Sequence, residues 1–260
     1  MATLNHVSYV SLLRAEFLKY KGTLLMYMAI FAPLLIVLMY FAAGVAKGTD
    51  FLNPEEDVWF IYMLRISQVG FGLFYPLHLI LVGALVSQVD HSNDTWKHLL
   101  VQPVSKSSVY WVKLLGLIGM TLVSVVVFVV SILLSGLVLD FVHPEIGLGL
   151  PTERLGFLMT ASMWSFSASL GILGIQFAAG VQWKSIAIPL GIGLSGFVAG
   201  FVFMQGWEYT PYYPYSYTII LPLGMMSKPL DYLPIQVWLG PLVGAAAVLM
   251  GWVGFMRKRV

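Results

Sequence analysis

Long uncharged stretches dominate this chain and restrict what it can fold into. Six of them lack Asp, Glu, Lys and Arg, and each exceeds the about 20 residues that an α-helix needs to cross a bilayer. Charged residues make up only 10% of the chain, against roughly 25% in soluble domains. We therefore predict an all-α polytopic membrane protein with six transmembrane helices, a single domain over residues 1–260. Its spans are expected at about 22–46, 66–89, 114–139, 155–183, 185–207 and 232–256.

The distribution of Lys and Arg predicts the orientation of these spans. Cytoplasmic loops of membrane proteins carry an excess of Lys and Arg. With the N-terminus inside, ten of the 14 basic residues fall in the cytoplasm and four outside. We therefore expect a multi-pass protein of the plasma membrane with both termini cytoplasmic. The inner set is Arg14, Lys19, Lys21, Lys97, Lys106, Lys113, Lys184, Arg257, Lys258 and Arg259, and the outer set is Lys47, Arg65, Arg154 and Lys228.

The residues before the first span predict a helix that lies in the membrane interface. Within residues 4–21, apolar side chains recur at helical spacing while basic side chains point elsewhere. Such a helix turns its basic side chains toward anionic headgroups. The residues assigned to it are Arg14, Glu16, Phe17 and Lys19. The alternative is a solvated leader with chance periodicity; no signal peptide is expected, because an apolar core and a cleavage site are lacking.

A polar segment between the second and third predicted spans, residues 90–113, predicts a short cytoplasmic helix. Helix-capping residues begin it, an apolar face at i, i+3 and i+4 follows, and a proline stops it. Such a helix on the inner face of a membrane protein offers a cytosolic partner a surface to push on. The residues concerned are Asn93, Asp94 and Thr95 as caps, Trp96, Leu99 and Leu100 as the apolar face, and Pro103 as the stop.

The loop before the last predicted span, residues 208–231, predicts a short re-entrant hairpin on the outer side. Its tyrosines suit the headgroup region, where an amphipathic ring keeps one wet end. Residues 218–226 are apolar but too few to span a bilayer, and we expect the hairpin to break at Pro222 and Gly224. The alternative is an extracellular loop without membrane contact.

The sequence contains no catalytic signature. It lacks the G-x-x-x-x-G-K-[ST] pattern, so we expect this chain not to bind ATP through a P-loop. The absence of cysteine excludes disulfides, iron–sulfur clusters and thiolate zinc sites, and no metal site is predicted. A net charge of +2 is too small to indicate nucleic-acid binding.

Three polar residues inside the predicted spans are candidates for a substrate pathway. Ionisable groups inside a membrane are functional candidates by default, and His78 is the one near the middle of a span. A structural hydrogen bond is the alternative for His78, because Pro76 frees a backbone carbonyl that the imidazole N–H could reach. Gln68 and Gln176 are the other two candidates.

Two segments carry a recognisable pattern: LLRAEFLKYKGT, residues 12–23, and DTWKHLLVQPVSKSSVYWVKLL, residues 94–115. They resemble the permease subunits of type 2 ABC exporters, in particular the branch of bacitracin-resistance and lantibiotic-immunity permeases. The matching features are an acid followed by lysines before the first span, Trp96-Lys97, the turn at Pro103, and Lys113. The topology extends the resemblance over the whole chain, without the large outer domain that some members have.

The resemblance implies a permease with six membrane helices that works as a pair, with itself or with a sister permease, together with two ATPase subunits. ATP and magnesium would be bound by the ATPase, and this chain would contact membrane lipids and hold no cofactor. The cytoplasmic helix would dock in a cleft of the ATPase and transmit its closure. The residues assigned to this coupling are Asp94, Trp96, Lys97, Leu99, Leu100 and Pro103.

The substrate expected for such an exporter is amphipathic or apolar, such as an antimicrobial peptide, a drug or a lipid. Two other classes of function stay open. A transporter driven by an ion gradient would need charges in its spans, where His78 is the main candidate. A non-transporting sensor or immunity protein would bind its ligand in the outer loops.

Overall fold

A computed structural model describes residues 9–92, 105–183, 185–224 and 233–257, and within these ranges its regular structure is entirely helical. This confirms the predicted all-α class. The helices are α1 (Tyr9–Tyr20), α2 (Leu24–Lys47), α3 (Val58–Val69), α4 (Tyr75–Ser92), α5 (Lys106–Val142), α6 (Leu155–Gln182), α7 (Ala187–Phe203), α8 (Tyr217–Gly224) and α9 (Gln236–Arg257), with 3₁₀ turns at Gly48–Asp50, Pro144–Ile146, Thr210–Tyr212 and Pro214–Ser216 and a π turn at Gly70–Phe74.

Length and composition make this a multi-pass membrane protein, as predicted. α7 is apolar but has 17 residues, about 26 Å at 1.5 Å per residue. This is the lower limit for a spanning helix, so the predicted count of six spans stays a prediction. In the described part of the chain, five helical stretches are long and apolar enough to cross a membrane: Leu24–Asp50, Val58–Val86, Lys106–Val142, Leu155–Gln182 and Gln236–Arg257.

Two helices begin well before the limits that charged residues set in the sequence. α3 begins at Val58 rather than at residue 66, and α5 at Lys106 rather than at residue 114. A charged residue interrupts an uncharged stretch of the sequence. It does not end the helix when its side chain has a partner in the folded protein. The Arg65 guanidinium donates to the Phe51 carbonyl oxygen over 2.7 Å and lies above the Phe51 ring. Smaller shifts from residues 22, 185 and 232 place the other starts at Leu24, Ala187 and Gln236.

The π turn between α3 and α4 is held against α5. A π turn accommodates one extra residue in a helical turn. Gly70 is required there, because a Cβ atom at this position would collide with the Phe128 ring of α5. The Phe71 and Phe128 rings meet edge to face with centroids 4.9 Å apart. The first three residues of the turn, Gly70, Phe71 and Gly72, are buried, so packing fixes this part of the turn.

α6 is the centre of the bundle, with α4 and α9 packed along it. The α6 and α9 backbones touch: a Cβ atom at Gly240 would lie 2.5 Å from the Ser167 carbonyl oxygen, and one at Gly174 would lie 2.5 Å from the Gly244 carbonyl oxygen. Small residues allow membrane helices to approach this closely. The spacing of Gly240 and Gly244 therefore marks a real helix contact.

The outer segment after α7 folds back onto the bundle through its tyrosines. The Tyr213 hydroxyl donates to the Gly196 carbonyl oxygen of α7 over 2.9 Å, and the Tyr215 ring covers Gly196. α8 then packs against α3, α6 and the π turn. The predicted break at Pro222 is wrong: α8 continues through Pro222 to Gly224, because one missing N–H bond is tolerated in a helix held by its neighbours. The rest of the predicted hairpin, residues 225–231, lies outside the described residues, and its re-entrant course stays a prediction.

Candidate functional site

The predicted coupling residues lie in a segment, residues 93–104, that falls outside the described residues. These are Asp94, Trp96, Lys97, Leu99, Leu100 and Pro103. The structure does define the helices on either side, α4 ending at Ser92 and α5 beginning at Lys106. A movement of the segment would therefore reach α4 and α5 directly.

The start of α5 is capped and contacts the start of α1. The Ser105 hydroxyl accepts a hydrogen bond from the Ser108 backbone N–H over 3.0 Å, which satisfies one of the free N–H groups of the first turn. The Ser108 hydroxyl in turn donates to the Tyr9 hydroxyl over 3.2 Å. The first residue of α1 thus meets the turn that directly follows the predicted coupling segment.

A buried ion cluster joins α1 to α5 two turns further along. The Lys113 ammonium donates to Glu16 Oε1 over 2.7 Å, and the side chains are 1% and 6% exposed. The same carboxylate accepts from Lys19 Nζ over 2.8 Å and from the Tyr20 hydroxyl over 2.9 Å. A buried carboxylate that receives several donors is fully paired, which is the condition for such a group to be tolerated in an interior.

The charge of Glu16 is maintained by its partners. Burial alone would raise the pKa of Glu16, but attraction and hydrogen bonds from Lys113 and Lys19 outweigh burial and lower the pKa to about 2. Removing one partner from a buried pair typically costs about 3–5 kcal/mol, because the other charge is left uncompensated. The Glu16–Lys113 pair therefore holds α1 to α5 at one defined register.

Small residues on α5 allow α1 to approach. A Cβ atom at Gly116 would lie 3.0 Å from the Tyr20 hydroxyl, and one at Gly119 would lie 2.7 Å from Cζ of Phe17. α1 therefore packs lengthwise along the first turns of α5. Its contact is formed by polar groups and aromatic rings together.

The predicted interfacial helix is present as α1. The face of α1 that packs against α5 differs from the face that the spacing of its apolar residues predicts. Arg14 and Phe17 are exposed and Lys19 is half-buried, whereas Glu16 is buried together with Tyr20. Periodicity assigns a charged residue to the solvent side, and Glu16 departs from this because its partner Lys113 comes from another helix. The contact of α1 with headgroups stays a prediction.

The three predicted pathway residues lie on three different helices: Gln68 on α3, His78 on α4 and Gln176 on α6. Gln68 is half-buried in α3. Gln176 is fully buried in α6 and bonds to α7 and the outer segment: with the amide oriented to satisfy both ends, its NH₂ donates to the Pro189 carbonyl oxygen over 3.0 Å and its oxygen accepts from the Tyr215 hydroxyl over 2.9 Å. This arrangement fastens Tyr215 between α6 and α7.

His78 makes a helix-to-helix hydrogen bond. Its Nε2 lies 2.9 Å from the Ser124 hydroxyl of α5, and that hydroxyl donates to the Met120 carbonyl oxygen. Nε2 therefore carries the proton and donates. The partner is Ser124 rather than the carbonyl freed by Pro76. A cavity of about 30 Å³ adjoins His78, enough for a water molecule and too small for a substrate.

Reasoning from the sequence missed two groups of residues. One is the pairing of Glu16 with Lys113, for which the signal was an acid in an otherwise basic segment and a lysine at the edge of an uncharged stretch. The other is a set of buried hydroxyls on α3, α6 and α8 that lack hydrogen-bond partners among the described residues. Serine and threonine are common in membrane helices, so nothing in the sequence distinguished these positions.

The family described as ABC-2 family transporter protein matches residues 12–200. The match covers α1 to most of α7, including the α1–α5 junction and the segment between α4 and α5. This chain belongs to the ABC-2 transporter family. As an ABC-2 permease it is the membrane component of an ABC transporter and not itself the ATPase, and its family implies an ABC ATPase as partner. No curated protein matches the chain.

Proposed function

We propose that this ABC-2 permease is the membrane subunit of an ATP-driven exporter that moves an amphipathic or apolar substrate out of the cell or the membrane. It would work in the plasma membrane with both termini in the cytoplasm, paired with a second copy or a sister permease. The resemblance of residues 12–23 and 94–115 to bacitracin-resistance and lantibiotic-immunity permeases supports a peptide antibiotic as substrate.

The Glu16–Lys113 pair is the observation that supports this mechanism best. Lys113 lies two turns after the start of α5, and its ammonium is buried against a carboxylate of α1 at 2.7 Å. A displacement of residues 93–104 would reach α5 directly through Ser105. Because the Glu16–Lys113 pair and the contacts at Gly116 and Gly119 hold α1 against α5, α1 would move together with α5. The chemical step stays in the ATPase.

ATP acts on this permease only through the partner. A ligand shifts a conformational equilibrium only by its different affinity for the two states, so ATP binding must change the position of the segment at residues 93–104. Trp96, Leu99 and Leu100 supply the apolar face for that contact. We expect closure of two ATPase subunits to draw two such segments together and to open the permease pair outward.

The proposal is tested by purifying the tagged chain from its native membrane in mild detergent. We expect an ABC ATPase to co-purify with the natural chain and to be lost when Trp96→Ala and Leu99→Ala are combined. The matched control combines Leu150→Ala and Trp207→Ala, two exposed residues on the predicted outer side of the membrane. Absence of any ATPase, or its retention by the Trp96 and Leu99 variant, would contradict the proposal.

Transport by the purified complex in vesicles separates the remaining classes. An exporter requires a partner that hydrolyses ATP and is insensitive to an ionophore. A gradient-driven transporter would work without ATP and stop when the ionophore is added. A sensor would bind its ligand and move none of it in either condition.

A further inference from the structure

In the part of the chain that the structure describes, four buried hydroxyls lie without hydrogen-bond partners at one end of the bundle. They are Ser67 of α3, Ser162 and Ser165 of α6, and Thr218 of α8, each at most 3% exposed. We call these four residues the hydroxyl seam. α3, α6 and α8 pack against one another, so the four side chains belong to one junction of three helices.

The distance of the hydroxyl seam from the end of the bundle follows from where α3 and α6 begin. Asp57 before α3 and Arg154 before α6 form an ion pair, and the Phe60 and Phe157 rings lie 5.0 Å apart. The two helices therefore begin side by side. Ser67, Ser162 and Ser165 follow seven to ten residues after these starts, which places all three about 10–15 Å into the bundle. By the predicted topology this is the outer half.

Buried hydroxyls of α5 are satisfied by their own helix. On α5, the hydroxyls of Thr121, Ser124 and Ser131 donate to Leu117, Met120 and Phe128 carbonyl oxygens at 2.9 to 3.1 Å. This is the usual arrangement for Ser and Thr in membrane helices. A buried hydroxyl without a partner costs free energy, so four in one junction indicate a surface that is satisfied in another conformation.

α8 is the element that covers the hydroxyl seam. It is a helix of eight residues that packs on α6 through Tyr217 and Leu221 against Ala168. It follows the outer segment that Tyr213 and Tyr215 fasten to α7. The Tyr215 hydroxyl also donates to Gln176 of α6, so α8 would leave α3 and α6 when α7 moves and this bond breaks.

We propose that the hydroxyl seam is part of the substrate path and opens when α8 separates from α3 and α6, an inference that rests on the proposed export function. Hydroxyls both donate and accept hydrogen bonds. Among the described residues, the buried ion pair is that of Glu16 and Lys113. This pair lies at the α1–α5 junction and not at the junction of α3, α6 and α8. The seam therefore suits uncharged polar groups, such as the backbone amides of an amphipathic peptide.

The absence of cysteine from the chain allows a direct accessibility test. Single cysteines replace Ser162, Ser165 and Thr218 in the purified complex with its ATPase, and a small charged methanethiosulfonate reagent is added with and without an ATP analogue. We expect reaction rates to rise on the order of tenfold in the ATP-bound state, as a minor open state becomes the major one. Ser131→Cys, buried on α5, is the control and stays protected in both states.

Two outcomes decide the proposal. If the complex binds and hydrolyses ATP while the Ser162→Cys, Ser165→Cys and Thr218→Cys variants stay as protected as the Ser131→Cys variant, the seam is not part of the path. If no ATPase co-purifies, the export function itself fails, and this is recognised from the missing ATPase rather than from the labelling.

A second measurement tests the hydroxyl seam in the chain alone. Ser165→Ala removes a hydroxyl without a partner and is expected to raise the melting temperature of the purified chain in detergent, whereas Ser131→Ala, which removes a satisfied hydroxyl, is expected to lower it. A drop in melting temperature for Ser165→Ala as large as that for Ser131→Ala would mean that a structural bond is lost, and would overturn the proposal.

Discussion

Lys113 and Glu16 lie 97 positions apart in the chain, and the ammonium nitrogen of one lies 2.7 Å from a carboxylate oxygen of the other inside the protein. The pair places the first described helix against the helix that leads out of the predicted coupling segment. Its strength decides whether α1 and α5 move as one body or as two.

Neutralising one member of the pair should destabilise the protein, and neutralising both should restore most of the loss. Lys113→Met leaves the Glu16 carboxylate buried with half-buried Lys19 as its remaining ammonium partner, and we expect a loss of about 3 kcal/mol. Combining it with Glu16→Gln removes the stranded charge. Denaturant unfolding of the purified chain measures both, with exposed Arg14→Ala as control. Equal stability of Lys113→Met and Arg14→Ala would contradict the assigned role.

The pair also predicts a pH dependence in acid. The pKa of Glu16 falls from its ordinary value of 4.5 to about 2 in the folded protein. A lowered pKa adds stability above 4.5 that is lost as the pH falls toward 2. The difference in melting temperature between the natural chain and Glu16→Gln should therefore be constant at neutral pH and shrink below 4.5. A difference that grows in acid would have the wrong sign.

At the opposite end of α5, His143 predicts a dependence of the other sign. Its Nε2 lies 2.9 Å from the Val45 carbonyl oxygen and its Nδ1 2.7 Å from Glu145 Oε1. Both partners accept, so the doubly protonated ring fits best, and the Val45 carbonyl and then Glu145 raise the pKa of His143. The contact therefore stabilises α2 against α5 at low pH and is lost as the pH rises through that pKa.

The measurement for His143 is the melting temperature of His143→Gln against the natural chain from acid to alkaline pH. We expect the two to differ most at low pH and to converge as the pH rises. Glu55→Gln, an exposed acid in a neighbouring loop, is the control and should show no such convergence. A difference that is the same at every pH would show that His143 stays neutral.

The contact between α6 and α9 predicts a steric effect of one methyl group. Gly240→Ala places a Cβ atom against the backbone of Ser167 and Ala168, and overpacking of this kind costs about 1–3 kcal/mol. Gly191→Ala in α7 meets nothing within 4 Å and should be neutral or gain up to about 1 kcal/mol of helix propensity. Thermal unfolding compares the two, and equal effects would argue against the close approach.

The sequence predicts the all-helical membrane class of the protein, because this class depends on local composition. It places α1 correctly as a helix but not its buried face, since the partner of Glu16 comes from a distant part of the chain. Helix starts at Val58 and Lys106 were missed for a related reason: a charge such as Arg65 is accommodated by a tertiary partner that no local pattern shows. The coupling role of Trp96, Leu99 and Leu100 stays a prediction from the resemblance.

The π turn at Gly70–Phe74 allows one membrane span to direct polar side chains toward two different groups of neighbouring helices. Ser67 and His78 are eleven positions apart, which in an unbroken α-helix returns a side chain to within about 20° of the same direction. The extra residue in the turn shifts the phase of everything after it by about 100°. His78 consequently meets Ser124 of α5, while Ser67 remains with α6 and α8. Regular α-helical winding of the same residues, without the π turn, would bring both polar groups onto a common face and merge two sites that the fold keeps separate.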